Sequence, residues 1–127
     1  VEIWQCDANG RYRHPRDPGD APLDPTFQGH GRTLSDGEGR YRFRTIRPVP
    51  YPGRTPHIHV AVFPPEGSPL VTQLYVAGEA RNDEDFLYRR LPAERRHLVT
   101  VPFEAAARGD APLAARFEIV LGATPAG

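Results

Sequence analysis

His57-Ile58-His59-Val60-Ala61-Val62-Phe63 is the stretch on which the reading of this chain turns. Successive side chains of a β-strand point to opposite faces. Ile58, Val60 and Val62 therefore share one apolar face, while His57, His59 and Ala61 share the other. The alternation and the β-branched residues predict a strand anchored in the core by its apolar face. Its two imidazoles then project side by side as a chelating pair. Imidazole serves zinc, copper, iron and nickel alike, so the pair by itself selects no metal. For an isolated His-x-His the plainer alternative is a strand with polar residues on its solvent face.

Working outward, Val1 to Cys6 is a short β-prone run that ends at the turn signal Asp7-Ala8-Asn9-Gly10. Residues 14 to 31 are rich in Pro, Gly and Asp without apolar period, which predicts a long loop. Tyr41 to Ile46 alternates as a half-exposed strand does, and Val71 to Val76 predicts another strand with Gln73 and Tyr75 on one face. Residues 82 to 98 have helical character, with Asn82 placed to cap a first short helix and Pro92 to begin a second. Arg116 to Leu121 predicts a closing strand. Fifteen prolines and twelve glycines among 127 residues fall between the apolar runs and so mark turns. The expected fold is one all-β domain over residues 1–127, a β-sandwich with long loops and one or two short helices.

Sixteen basic residues balance sixteen acidic ones, so no basic surplus points to nucleic acid or an anionic membrane. No apolar run approaches the roughly 20 residues that span a bilayer. Cys6 is the single cysteine and cannot form an internal disulfide. It alternates with Trp4, so a small buried side chain is expected there. The chain opens at Val1 in a strand-like run without methionine, and the expectation is that a longer precursor supplied an N-terminal portion.

Two further stretches bear on the histidine pair. Trp4-Gln5 is followed by Gly10-Arg11-Tyr12-Arg13-His14, and Pro50-Tyr51-Pro52-Gly53-Arg54-Thr55-Pro56 leads directly into His57. This arrangement resembles the intradiol ring-cleaving dioxygenases. That family places one tyrosine in Trp-Gln-x-x-x-x-Gly-Arg-Tyr-Arg-His and a second in Pro-Tyr-Pro, shortly before Arg-x-Pro-His-Ile-His. Gly31 to Tyr41 and Thr72 to Gly78 also follow the family's pattern, and the short link from Tyr51 to His57 looks more like the protocatechuate branch than the catechol branch.

The resemblance implies an Fe(III) cofactor held by Tyr12, Tyr51, His57 and His59. It implies cleavage of a catechol-type ring with O2 to a cis,cis-muconate-type diacid. Two tyrosinates, as hard anionic donors, favour iron(III) over iron(II), and the set leaves a position open. By the same resemblance Tyr51 is the tyrosine displaced by substrate, Arg54 stabilises the electron-rich ring and Gln73 stands beside it. An always-charged guanidinium suits that role. Trp4 and Leu87 correspond to positions lining the substrate pocket. Gly53 stands where the protocatechuate enzymes carry a tryptophan, which implies a roomier pocket. Arg11, Arg13 and Arg16 are candidates by position for meeting a substrate carboxylate.

The resemblance further implies an oligomer, either a homodimer or an assembly with a related subunit, and a cytoplasmic location. Several other readings compete. A non-catalytic binding module or partner subunit of the same fold is one, although such relatives lack the four ligands that this chain keeps. A zinc hydrolase on the histidine pair is weaker, since no Asp or Glu lies close in sequence to act as base. Tyr41, also in a Gly-Arg-Tyr-Arg context, is expected to pack on the core rather than bind metal. His14 lies near enough to Tyr12 to support it, whereas His30 and His97 have no strand partner. Arg89, Arg90, Arg95 and Arg96 are expected to form a solvated helical face.

Overall fold

The computed structural model describes every residue from Val1 to Gly127. His57–Val62 forms the strand expected of it, here β3, and lies at the centre of a five-stranded sheet. Its neighbours are β1 (Glu2–Trp4) and β4 (Leu70–Val76), with β2 (His30–Arg32) and β5 (Thr100–Val101) at the edges, in the order β2-β1-β3-β4-β5. All pairings are antiparallel except β4 with β5. A separate hairpin joins β6 (Glu104–Ala105) to β7 (Leu113–Ala114). The molecule is thus mostly sheet with a few short helices, an all-β fold.

The register converts the alternation of β3 into two chemically distinct faces. Ile3 lies opposite Val60, and Ile58 opposite Leu74. Ile58, Val60, Leu74 and Val101 form the buried core, with Ile3, Phe103, Phe117 and Ile119 packed against it. On the other face Trp4, His59 and Gln73 make one row across three strands, and His57 and Tyr75 make the next. Tyr75 belongs to a second cluster with Tyr88 and Val99, which covers this face at its β4 side.

The helical region is a 3₁₀ turn (Ala80–Glu84), a five-residue helix α1 (Phe86–Arg90) and a 3₁₀ segment (Ala93–Val99) that follows Pro92. Asn82 caps nothing: Glu79 caps the first turn and Asp85 caps α1, while Asn82 is buried. The arginines there are not uniformly solvated. Arg96 donates to the Leu91 and Arg89 carbonyls and lies 5.5 Å from the Tyr88 ring centre.

Two expected strands are absent. Residues 41–46 and 116–121 keep the alternation, with Tyr41, Phe43, Phe117 and Ile119 half-buried between exposed neighbours, yet they form no ladder. Alternation reports which side of an extended segment is apolar, whereas a strand needs a backbone partner on its edge. These segments are tied by side chains instead, as where the Tyr41 hydroxyl donates to the Phe117 carbonyl at 2.7 Å. Tyr41 therefore packs as expected. His30, by contrast, does have a strand partner, lying opposite Trp4 on β2. Cys6 is buried.

The two faces predict unequal responses to truncation. Ile58 is 5% exposed and Val71 is 42% exposed. Ile58→Ala should lower unfolding free energy by about 2–5 kcal/mol, and Val71→Ala by about 0.5 kcal/mol or less. Urea denaturation of both variants checks this, and equal losses would show that the faces are wrongly assigned.

Candidate metal centre

Two loops and one strand deliver the site. Tyr12 follows a tight turn in which the Gly10 amide donates to the Asp7 carbonyl at 3.0 Å. Gly10 has φ +73°, and a Cβ there would come within 3.1 Å of the Pro50 carbonyl oxygen. Only glycine permits both that backbone and that approach, so Gly10 lets the Tyr12 loop lie against the Tyr51 loop. Asp7 and Asp17 hold the loop's shape. Asp7 accepts from the amides of Asn9, Arg11 and Asp24, and Asp17 accepts from those of Tyr12 and Gly19. Tyr51-Pro52-Gly53-Arg54 is a β-turn closed by the Arg54 amide donating to the Tyr51 carbonyl at 2.8 Å. Proline second and a positive-φ glycine third, here φ +80° at Gly53, is the pattern of a type II turn.

The donors converge. His57 Nε2 lies 3.2 Å from His59 Nε2 and 3.1 Å from the Tyr12 hydroxyl. The Tyr51 ring meets the Tyr12 ring edge-on at 4.8 Å, and the Trp4 ring stacks on His59 at 4.9 Å with the planes 1° apart. His57 Nδ1 sits 2.8 Å from the Thr55 carbonyl oxygen. A carbonyl only accepts, so Nδ1 carries the ring proton and Nε2 presents a lone pair.

Electrostatics favour neutral donors. Burial draws His57 down to about 4, with the Arg54 charge adding to the effect. Burial, His57 and Arg54 draw His59 down to about 3. Both imidazoles are therefore uncharged at neutral pH, the state that coordinates a metal. Burial likewise pushes the Tyr12 and Tyr51 phenols above their ordinary range. A cation among these groups would reverse that shift and stabilise the tyrosinates. Two donors each about 2.1 Å from a metal and 90–110° apart are separated by about 3.0–3.4 Å, and the His57–His59 and His57–Tyr12 separations fall in that range. No three His, Cys, Asp or Glu side chains are grouped to hold a metal, and the side-chain oxygens gathered at the histidine pair are those of the tyrosines. The donor set fits a hard, high-valent ion such as iron(III).

Behind the donors lies a further layer, in which Arg54 and Gln73 stand side by side as expected, while Asp85, Thr55 and Asn82 come from the fold alone. The Arg54 guanidinium donates through Nε to Asp85 at 2.8 Å and through Nη2 to Gln73 Oε1 at 2.6 Å, while Nη1 stands 3.5 Å from His57 Nε2. The Tyr75 hydroxyl also donates to Gln73 Oε1, at 3.2 Å. With its oxygen doubly engaged, Gln73 has its amide orientation set. Thr55 donates its amide to Asp85 and its hydroxyl to Asn82. In the sequence Asp85 carries no signal beyond that of a capping residue ahead of Phe86-Leu87-Tyr88.

The remaining candidates lie further out. Tyr51, Gly53 and Arg54 line an open groove of about 540 Å³ together with Arg81, Glu84 and Asp85. No atom lies within 4 Å of a Cβ built on Gly53, so that position is spacious. Leu87 is half-buried on α1 and does not line this groove. Arg11 pairs with Asp17 at 3.3 Å and also donates to the Ala21 carbonyl. Arg13 donates to the Phe27 and Asp24 carbonyls, and Arg16 is exposed. His14 is exposed and accepts from the Arg16 amide rather than supporting Tyr12.

A dioxygenase family model matches residues 1–123. The protocatechuate 3,4-dioxygenase beta chain of Burkholderia cepacia is 44% identical, the match covering 95% of this chain and 55% of that one. Hydroxyquinol 1,2-dioxygenase of Corynebacterium glutamicum is 34% identical over 62% of this chain and 30% of its own length. The chain thus spans about half or less of these relatives. Among solved structures, the dioxygenase domain of a dioxygenase carbohydrate-binding protein fusion from Streptomyces sp. SirexAA-E superposes with a TM-score of 0.60 at 32% identity, covering 87% of this chain and 58% of that one. With the match running through both tyrosine loops, the histidine strand and the helical segment behind them, the chain belongs to the intradiol ring-cleaving dioxygenase family.

Proposed function

We propose that this chain carries the catalytic core of an iron(III) intradiol dioxygenase that cleaves a catechol-type ring with O2 to a cis,cis-muconate-type diacid. The observation that carries the reading is the convergence of His57 Nε2, His59 Nε2 and the Tyr12 hydroxyl, with the Tyr51 ring against Tyr12. Tyr12, Tyr51, His57 and His59 hold the metal in this reading. Bound ferric iron supplies a Lewis-acidic centre that activates the catecholate toward oxygen.

The protein's own groups then divide the remaining work. The imidazoles stay neutral donors, with Thr55 fixing His57 in the coordinating tautomer. Tyr51 lines the open groove and is the phenol best placed to yield its position and take up a proton when substrate arrives. Arg54 directs Nη1 toward the convergence point, where it stabilises negative charge on the ring, and Gln73 fixes its neighbouring nitrogen. The reading extends to assembly with a second copy or a related subunit and to a cytoplasmic setting. The reading also keeps the β-sandwich, supported by Phe117 and Ile119 of the extended segment 116–121 packing on the apolar face of the sheet.

A visible spectrum of the iron-loaded protein tests the centre. Tyrosinate on iron(III) gives a broad charge-transfer band, which anaerobic catechol should shift to longer wavelength. Protein that stays colourless after ferric loading would falsify the reading. Tyr51→Phe should keep iron while altering the band and slowing ring cleavage, whereas His57→Ala should lose most of the metal; iron content by emission spectrometry distinguishes the two.

The metal-free protein offers a pH test of the neutral pair. Unfolded histidine protonates near 6.5, but the folded pair resists until about 4 and about 3. Between these values the unfolded chain binds more protons, so stability is complete above about pH 6.5 and falls as pH drops. Thermal unfolding should show this decline already between about pH 6.5 and pH 5, above most carboxylate titration. A flat profile there would mean that the imidazoles are not desolvated.

A further inference from the structure

Asp85 divides its two oxygens between two tasks. Oδ1 accepts the amides of Leu87 and Tyr88, both at 3.0 Å, and so caps α1. Oδ2 accepts Arg54 Nε at 2.8 Å and the Thr55 amide at 3.0 Å. A cap alone would need only the first oxygen. The carboxylate side chain is fully buried and that of Arg54 only 11% exposed. Burial alone would raise the carboxyl, but the Arg54 hydrogen bond and the Tyr88 and Thr55 amides outweigh it and hold Asp85 below its ordinary range. It is therefore a buried carboxylate set against a largely buried guanidinium.

A guanidinium is planar and presents its donors in a fixed fork. Asp85 takes the Nε edge and Gln73 takes Nη2, so the third nitrogen, Nη1, has its direction determined. That direction leads to His57 Nε2, at 3.5 Å. Through the Thr55 amide the same oxygen also steadies the residue whose carbonyl orients His57. We propose that Asp85 is a positioning residue for the intradiol reaction: from the cap of α1 it locks the Arg54 guanidinium so that Nη1 faces the ring-binding position. It also neutralises the charge that Arg54 brings beside the metal donors. The inference rests on the catalytic reading above for its consequence in turnover, but its geometry does not depend on that reading.

The test uses Asp85→Asn and Asp85→Ser, both of which retain an oxygen able to cap α1 and so separate capping from charge. In nitrogen-15 spectra of the iron-free protein, Arg54 Nε–H should give a resolved, slowly exchanging signal, identified by its loss in Arg54→Lys. Both Asp85 variants should lose its exchange protection while the α1 amides keep theirs. In the iron-loaded protein the variants should retain iron and the tyrosinate band, while catechol turnover falls roughly 10- to 100-fold, the scale of loss from small misplacements at a reacting centre. In an Arg54→Ala background, Asp85→Asn should lower turnover no further, because residues that act as one unit are not additive. A protected Nε–H in Asp85→Asn, or losses that multiply in the double variant, would overturn the proposal. Should the wild-type protein bind iron yet cleave no ring, the catalytic reading fails, and the Nε–H signal still decides whether Asp85 positions Arg54.

Discussion

The two-residue period of β3, held in register by β1 and β4, is the constraint on which the structure depends. A shift of one residue in either pairing would send both imidazoles into the core and Ile58 and Val60 out of it. The apolar face therefore does more than stabilise the sheet. By burying Ile58 and Val60 against Leu74, it obliges His57 and His59 to emerge together on the opposite side, beside Gln73 and Tyr75. Packing on one face sets the geometry of chemistry on the other.

That face is dry enough for its electrostatics to matter. Burial favours the neutral histidines and the protonated phenols, so these four candidate donors would gain most from a highly charged cation. Arg54, the fixed cation that acts on Tyr12 and both histidines, is balanced by Asp85 rather than by a metal donor. Removing one partner of a buried pair leaves the other charge uncompensated and is strongly destabilising, although the intact pair need not stabilise the fold. A pair of this kind serves direction more than stability. Its other contacts, to Gln73, Thr55 and the start of α1, tie the helical segment to the sheet at the point where the donors meet.

Both tyrosine loops depend on glycine, for different reasons. Both glycines have positive φ, but at Gly10 a side chain would also crowd the Pro50 carbonyl of the Tyr51 loop, whereas at Gly53 the turn alone sets the requirement. The open space at Gly53 is thus a consequence of turn geometry as much as of pocket shape. It leaves Tyr51 on the edge of a groove, whereas Tyr12 lies inward at the hydroxyl contact with His57.

Much of the site was legible in the chain because its signals are local. Strand alternation placed His57 with His59 and Gln73 with Tyr75, and the family resemblance of the flanking motifs pointed to Tyr12, Tyr51 and Arg54. Alternation misled at 41–46 and 116–121, where an apolar rhythm exists without a backbone partner, since period records burial and not hydrogen bonding. Asp85 escaped notice because its role depends on a residue 31 positions away, and one carboxylate in Asp83-Glu84-Asp85 looks like another until the fold buries it. The sequence by itself determined which residues share a face and which donor types are available, because side-chain direction follows from the strand's own geometry. Only the tertiary structure decided that Tyr12 would reach His57 across 45 residues and that Asp85 would aim Arg54. Such contacts are set by strand register and loop approach, which no local pattern encodes.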